Sequence, residues 1–141
     1  MRVLREREEL LKRFEEEVIF DENRNPRKNI KFKNYVDGSK FQGEVVNEKR
    51  NGKGIYHYAN GDKYAGDWKD DRFHGRGVYI FANGERYEGE LREGAKHGRG
   101  SYHYINGNKY EGEWAGDRKN GKGVYIYYAS GEKYDGEWKD G

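Results

Sequence analysis

A 141-residue chain with 38% charged and 33% hydrophobic side chains, at a mean hydropathy of -1.37, holds too little aliphatic material for a conventional core. Its 16% aromatic content, with 13 Tyr, is equally foreign to a disordered chain, and 21 Gly against one Pro point to short strands and many turns packed by rings. The absence of Cys excludes disulfides and Cys-ligated zinc, and the formal charge of +2 arises in residues 1–33, since residues 34–141 hold 18 Lys/Arg and 18 Asp/Glu; a neutral array argues against nucleic acid as partner.

In chain order, the first element is an amphipathic helix over about 2–19. Leu4, Leu11 and Val18 recur every seven residues, with Leu10 and Phe14 beside them. The segment is too short to define a coiled coil and too charged for a signal peptide. No apolar run approaches the roughly 20 residues of a membrane span. These features predict a cytoplasmic chain. The helix (domain 1–20) is expected to cap the repeats that follow, or to dock on a neighbour, through Leu4, Leu11, Phe14 and Val18. Residues 21–33, with Asn23, Asn25 and Pro26, read as a linker.

Residues 34–141 form a repeat. Phe41-Gln-Gly43, Tyr64-Ala-Gly66, Tyr87-Glu-Gly89, Tyr110-Glu-Gly112 and Tyr134-Asp-Gly136 follow one another at spacings of 23, 23, 23 and 24. The unit starts therefore lie near 41, 64, 87 and 110, with a partial unit at 134. A second motif recurs in step: NGKG at 51–54, HGRG at 74–77 and 97–100, and NGKG at 120–123. Each precedes a β-rich run and a turn. Within a unit the period is two, so Tyr64, Gly66 and Trp68 share one strand face, while Gly77, Tyr79 and Phe81 share one opposite Val78 and Ile80. The Asn-Gly pairs at 60–61, 83–84 and 106–107 predict type I′ hairpin turns with both central residues at φ > 0. Gly between aromatics leaves room for a ring to lie over the backbone. The whole reads as an antiparallel meander of hairpins.

The pattern Tyr-x-Gly-x-Trp, a short turn, (His/Asn)-Gly-x-Gly and then Asp/Asn-Gly resembles the MORN (membrane occupation and recognition nexus) repeat over about 35–141. Phe41 and Val45 depart from it in the first unit, and Leu91 replaces Trp in the third, yet each keeps an apolar group. The resemblance implies an all-β repeat fold, an elongated single-layer antiparallel sheet of tandem hairpins, here with an N-terminal helix. It also implies scaffolding roles in cytoskeletal, ciliary or axonemal assemblies and in membrane-proximal complexes.

Two surfaces are candidate sites. One is the aromatic face, comprising Tyr64, Trp68, Tyr79, Phe81, Tyr87, Tyr102, Tyr110, Trp114, Tyr125, Tyr127 and Trp138. Such rings are the expected core of a repeat, and what one layer leaves open would form a groove suited to a partner helix. The other is a basic edge beside the Gly-x-Gly motifs, formed by Arg50, Lys53, Arg72, Arg76, Lys96, Arg99, Lys119 and Lys122. It would meet an acidic protein or anionic lipid, or serve only as a solvated edge that discourages sheet-to-sheet sticking.

His57, His74, His97 and His103 are not expected to bind metal: His74 and His97 share a slot that Asn51 and Asn120 fill in other units, which suits a turn residue better than a ligand. Ser39, Ser101 and Ser130 lie outside any nucleophile motif, and the Gly-x-Gly pairs do not open a helix. The residues predict neither catalytic site nor cofactor. The expected function is a protein-binding scaffold of a cytoskeletal or ciliary assembly. The alternatives are a membrane-associated module for anionic phospholipid and a regulatory array within a larger enzyme. The partial unit leaves the strand around 134–138 without a following partner, which predicts a homo-oligomer or inclusion in a larger complex.

Overall fold

The structure is a computed structural model that describes the backbone of residues 2–139 and 141 and the side chains of residues 8–139 and 141. Its elements are α1 (Arg2–Ile19), β1 (Ile30–Asn34), β2 (Lys40–Val46), β3 (Lys49–His57), β4 (Lys63–Lys69), β5 (Arg72–Ile80), β6 (Arg86–Arg92), β7 (Ala95–His103), β8 (Lys109–Ala115), β9 (Arg118–Ile126) and β10 (Lys133–Trp138). The strands form one antiparallel sheet in chain order, β1 to β10, each pairing with its sequence neighbours. The meander follows from short connections between strands that each carry one ring face.

The two ends of the sheet use different turns. Asn47-Glu48, Asp70-Asp71, Glu93-Gly94 and Gly116-Asp117 each place both residues at positive φ, the geometry of a two-residue type I′ hairpin. At the opposite end only the Gly of each Asn-Gly pair is left-handed, with φ of 98° at Gly61, 103° at Gly84 and 92° at Gly107. Gly61 N donates to Tyr58 O at 3.0 Å, Tyr58 N donates to Asp62 O at 2.9 Å, and Asn60 Oδ1 accepts from Asp62 N at 2.9 Å. These are longer loops closed by a left-handed Gly. The I′ turns thus sit at the Asp-rich end instead of at Asn-Gly, because Asn and Asp tolerate the left-handed region and the Asn side chain here caps its own loop.

Register makes two rows that cross the sheet. Gly43, Gly54, Gly66, Gly77, Gly89, Gly100, Gly112, Gly123 and Gly136 are successive cross-strand partners. Beside them run Phe41, Tyr56, Tyr64, Tyr79, Tyr87, Tyr102, Tyr110, Tyr125 and Tyr134. The ring of each even-numbered strand from β2 to β8 folds down over the glycine row. A Cβ at Gly77 would lie 2.6 Å from Tyr64 Cζ, so only Gly fits beneath the ring. A bulge follows the even-strand glycines, at Gly43/Val45, Gly66/Trp68, Gly89/Leu91 and Gly112/Trp114, and the apolar residue two positions on stays on the ring face.

The helix packs on the other face, against β2, β3 and β4. Val18, Ile55 and Ala65 are fully buried there, with Phe14 and Ile30 against them, and Leu11 is half-buried. Leu4, the remaining residue of the expected helix contact, lies outside the described side chains. Residues 21–33 are more ordered than a linker. Asn23 N and Asn25 N both donate to Asp21 Oδ1 at 2.9 Å, Arg27 N donates to Ile19 O at 2.7 Å, and Ile30–Asn34 forms β1 against β2. The Asp21 cap reverses the chain and brings Ile30 under the helix.

Candidate functional site: the aromatic face

The aromatic side is built in two levels. At the lower level Tyr64, Tyr87 and Tyr110 are at most 1% exposed. Each hydroxyl donates to a carbonyl three residues on, at Asp67 (2.8 Å), Glu90 (2.7 Å) and Glu113 (3.0 Å). Trp68 joins units by packing edge-on to Phe41 (5.5 Å) and Tyr64 (5.1 Å), while its Nε1 donates to Gly54 O at 3.0 Å. Trp114 does the same with Tyr87 (5.5 Å), Tyr110 (5.2 Å) and Gly100 O (3.1 Å). Trp138 is half-buried against Tyr110 and Tyr125. Burial raises the phenol pKa of Tyr64 and Tyr87 far above the ordinary range, as expected for rings held as core.

The upper level is what solvent meets. Tyr35, Tyr56, Tyr58, Tyr79, Phe81, Tyr102, Tyr104, Tyr125 and Tyr127 form a zigzag across the sheet, with neighbouring centroids 4.4 to 5.9 Å apart. Tyr127 is 44% exposed, and the rest are partly buried. Hydroxyls anchor the row: Tyr79 donates to Asp62 Oδ2 and Tyr102 to Glu85 Oε1, both at 2.8 Å, and Asn108 Nδ2 donates to Tyr125 Oη at 3.2 Å. Burial lifts the Tyr104 phenol to about 12. Of the rings expected to meet a partner, Tyr79, Phe81, Tyr102, Tyr125 and Tyr127 line this surface, whereas Tyr64, Trp68, Tyr87, Tyr110 and Trp114 lie beneath it. Tyr35, Tyr56, Tyr58 and Tyr104 belong to it and were missed. Their signal was present, since 35, 58, 81, 104 and 127 are themselves spaced by 23, as are 56, 79, 102 and 125.

The cations do not form one edge, because the Gly-x-Gly motifs lie inside strands instead of at turns. Arg50, Lys96 and Lys119 fall on the ring side. Arg50 lies 4.9 Å from the Trp68 centroid and 5.0 Å from Tyr56, and its Nε pairs with Asp71 at 3.1 Å. Lys96 lies 5.4 Å from Trp114 and pairs with Asp117 at 3.4 Å; Lys119 lies 5.5 Å from both Tyr110 and Trp138. These charges close the ring stack from above. Lys53 and Arg76 point to the other side and pair with Asp67 (2.5 Å) and Glu90 (3.9 Å). Arg72, Arg99 and Lys122 are exposed.

His57 and His103 are half-buried on the face opposite the rings. Burial, reinforced by Arg86 and Lys109, pushes His103 down to about 4, and burial also lowers His57. Among the described residues no group of three or more His, Asp or Glu is arranged to hold a metal ion.

A surface of stacked rings on glycine, repeated every 23 residues, is a module that presents area. The family model of the MORN repeat matches residues 41–63, 64–86, 87–109, 110–131 and 134–141. The chain belongs to the MORN-repeat family. A comparison with curated protein sequences gives no match. Each matched MORN unit begins at a ring of the crossing row, on β2, β4, β6, β8 or β10, so the family boundary coincides with a ring–glycine step. MORN repeats are binding repeats, commonly protein- or lipid-binding scaffolds, and not catalytic ones.

Proposed function

We propose that this MORN array is a non-enzymatic protein-binding scaffold of a cytoskeletal or ciliary assembly, with the upper aromatic row as its partner surface. The observation that carries this reading is an asymmetry of cover. On the side packed by α1, Ile55 and Ala65 are buried, whereas the zigzag from Tyr35 to Tyr127 carries no second layer among the described residues. Tyr and Phe rings held in place by neighbours lose little freedom on binding and offer large apolar area, which suits a helix laid along the row. Phospholipid is the weaker reading, because Arg50, Lys53, Arg76 and Lys96 are already committed to carboxylates.

Photo-crosslinking tests the proposal. A benzophenone amino acid at position 104 or 127 of the intact chain should capture protein, while the same group at exposed position 122, on the strand face opposite the rings, should not. Equal capture at all three positions, or capture at none, removes the aromatic row as the partner surface. Co-sedimentation with phosphoinositide vesicles at physiological salt should leave the chain in the supernatant.

A further inference from the structure

Between units two and three the repeat loses several residues that contact one another in the neighbouring units. Counting in steps of 23, the slot of Arg50 is filled by Lys96 and Lys119 but by Phe73 in the second unit. The slot of its partner Asp71 is filled by Asp117 but by Gly94 in the third. The backbone contact survives the change: Asp71 N donates to Arg50 O, Gly94 N to Phe73 O and Asp117 N to Lys96 O, at 3.0 to 3.2 Å. The cation and its carboxylate have therefore been replaced together. The bridging Trp is lost at the same junction, where Leu91 stands between Trp68 and Trp114.

Phe73 takes up part of the space by stacking on Tyr64 at 4.1 Å and 22°. What remains is a hollow of about 110 Å³ lined by Phe73, Phe81, Tyr87, Leu91, Gly94 and Lys96. An engineered apolar cavity of about 150 Å³ holds benzene, so this one accepts one branched aliphatic side chain or most of a phenyl ring. A second hollow of about 230 Å³ adjoins it across Phe73 and Gly94, floored by Tyr58 and Trp68 and rimmed by Arg50 and Arg72. Two of the rim cations are neutralised, Arg50 by Asp71 and Lys96 by Asp117. Arg72 is exposed and forms no ion pair among the described residues, which leaves the rim with one positive charge in excess.

We propose that this interruption is a socket for one apolar side chain of a protein partner, with a carboxylate close by in the partner meeting Arg72. The proposal rests on the aromatic row being the partner surface and assigns that partner its anchor chemistry. Three features select a peptide segment as occupant: the hollow is the size of one side chain, its lining apart from the Lys96–Asp117 pair is ring, aliphatic and glycine, and the charge beside it is a single unpaired guanidinium that can form a bidentate pair with a carboxylate. The junctions on either side have a Trp, a cation and an Asp at these places: Trp68, Arg50 and Asp71 before it, and Trp114, Lys96 and Asp117 after it.

The probe is 3-phenylpropionate, a ring and a carboxylate on one short chain, titrated into the full chain and followed by amide NMR. Shifts should centre on Phe73, Leu91 and Gly94. Phenethylamine, with the opposite charge, should bind at least about fivefold more weakly. Leu91→Trp restores the neighbouring units' residue and should abolish the effect. Gly94→Asp should weaken it at least about tenfold while leaving the fold intact, because Asp71 and Asp117 occupy the same slot at φ 69° and a Cβ at Gly94 meets nothing within 4 Å. Shifts away from these amides, or binding unchanged in both variants, overturn the socket. Equal binding of the two probes overturns the carboxylate. If the same amides move when the chain alone is concentrated, or broaden with anionic vesicles, the occupant is a second copy or a lipid and the proposal fails. Crosslinking at 104 and 127 that persists in Leu91→Trp would sink the socket and spare the scaffold reading; probe binding without any crosslinked protein would do the reverse.

Discussion

The two faces of this sheet bury themselves by different means. On the aromatic face each strand from β2 to β10 contributes a ring to one continuous row; each lower ring lies over glycines of its own unit, and Trp68 and Trp114 reach back to the ring and glycine of the unit before. Cover there is intrinsic and recurs with the period. On the opposite face cover is imported: α1 buries Ile55 and Ala65 near the start of the array, while farther along the same strand face carries the ion pairs Arg86–Glu88 and Lys109–Glu111 and needs no lid. A single layer can therefore stand without a second sheet if its side chains are flat enough to roof their neighbours' backbone. Damage on the ring face should accordingly spread along the array, and damage on the helix face should stay local.

The strongest test of that contrast is Tyr87→Ala. Tyr87 is the lower ring at the start of unit three, 1% exposed, and touches Trp114 at 5.5 Å. Its removal should destabilise by about 3–5 kcal/mol, the range for a large buried ring. Because the row is its own connection, hydrogen exchange should accelerate in β5 to β9 together. Loss of protection confined to β6 would show that units are held independently. Val18→Ala probes the other face. Val18 is 1% exposed and packs on Ile55 and Ala65, so the change should cost roughly 1–2 kcal/mol. Exchange should rise in α1, β3 and β4 while β7 to β10 keep their protection. An effect that reaches β9 would mean that the helix organises the whole array.

How much of this was legible follows from how far each signal reaches along the chain. The period of 23, the alternation of faces and the meander depend on residues close in sequence, and they read correctly from Tyr-x-Gly and Gly-x-Gly alone. The turns did not. Asn-Gly usually marks a type I′ hairpin, yet here the I′ geometry falls on Asp70-Asp71 and Asn47-Glu48, which carry no Gly. Ile30–Asn34 was hidden because five residues with Lys31 and Lys33 around Phe32 give too short a pattern, and only pairing with β2 defines the strand. The split of the basic residues between faces needed the exact register and bulges, since one inserted residue exchanges the faces. Leu91 stood out as a departure from the motif, but its companions Phe73 and Gly94 become meaningful only when the hairpin brings all three slots together.

The smallest effect separates the faces by pH. His57 and His103 occupy the same slot in units one and three, both opposite the rings, but His57 has the Glu15 carboxylate of α1 nearby while His103 has only sheet neighbours. Burial, Arg86 and Lys109 hold His103 down at about 4, against partial opposition from Glu88 and Glu111. A histidine with a lowered folded pKa binds its proton more readily when unfolded, so acid favours unfolding. Stability is unaffected above the ordinary histidine range near 6.5 and declines as pH falls from there toward about 4. Solvent screening at a half-buried site reduces the loss to about 1 kcal/mol. Carboxylates such as Glu111, which Lys109 holds below its usual value, lose their contribution only at lower pH, so the interval from about 6.5 to 5 isolates histidine. Urea unfolding at pH 7 and pH 5 should show the decline in the native chain and a smaller one in His103→Gln. An identical decline in both would place the acid sensitivity elsewhere, with His57 beneath the helix the first residue to substitute next.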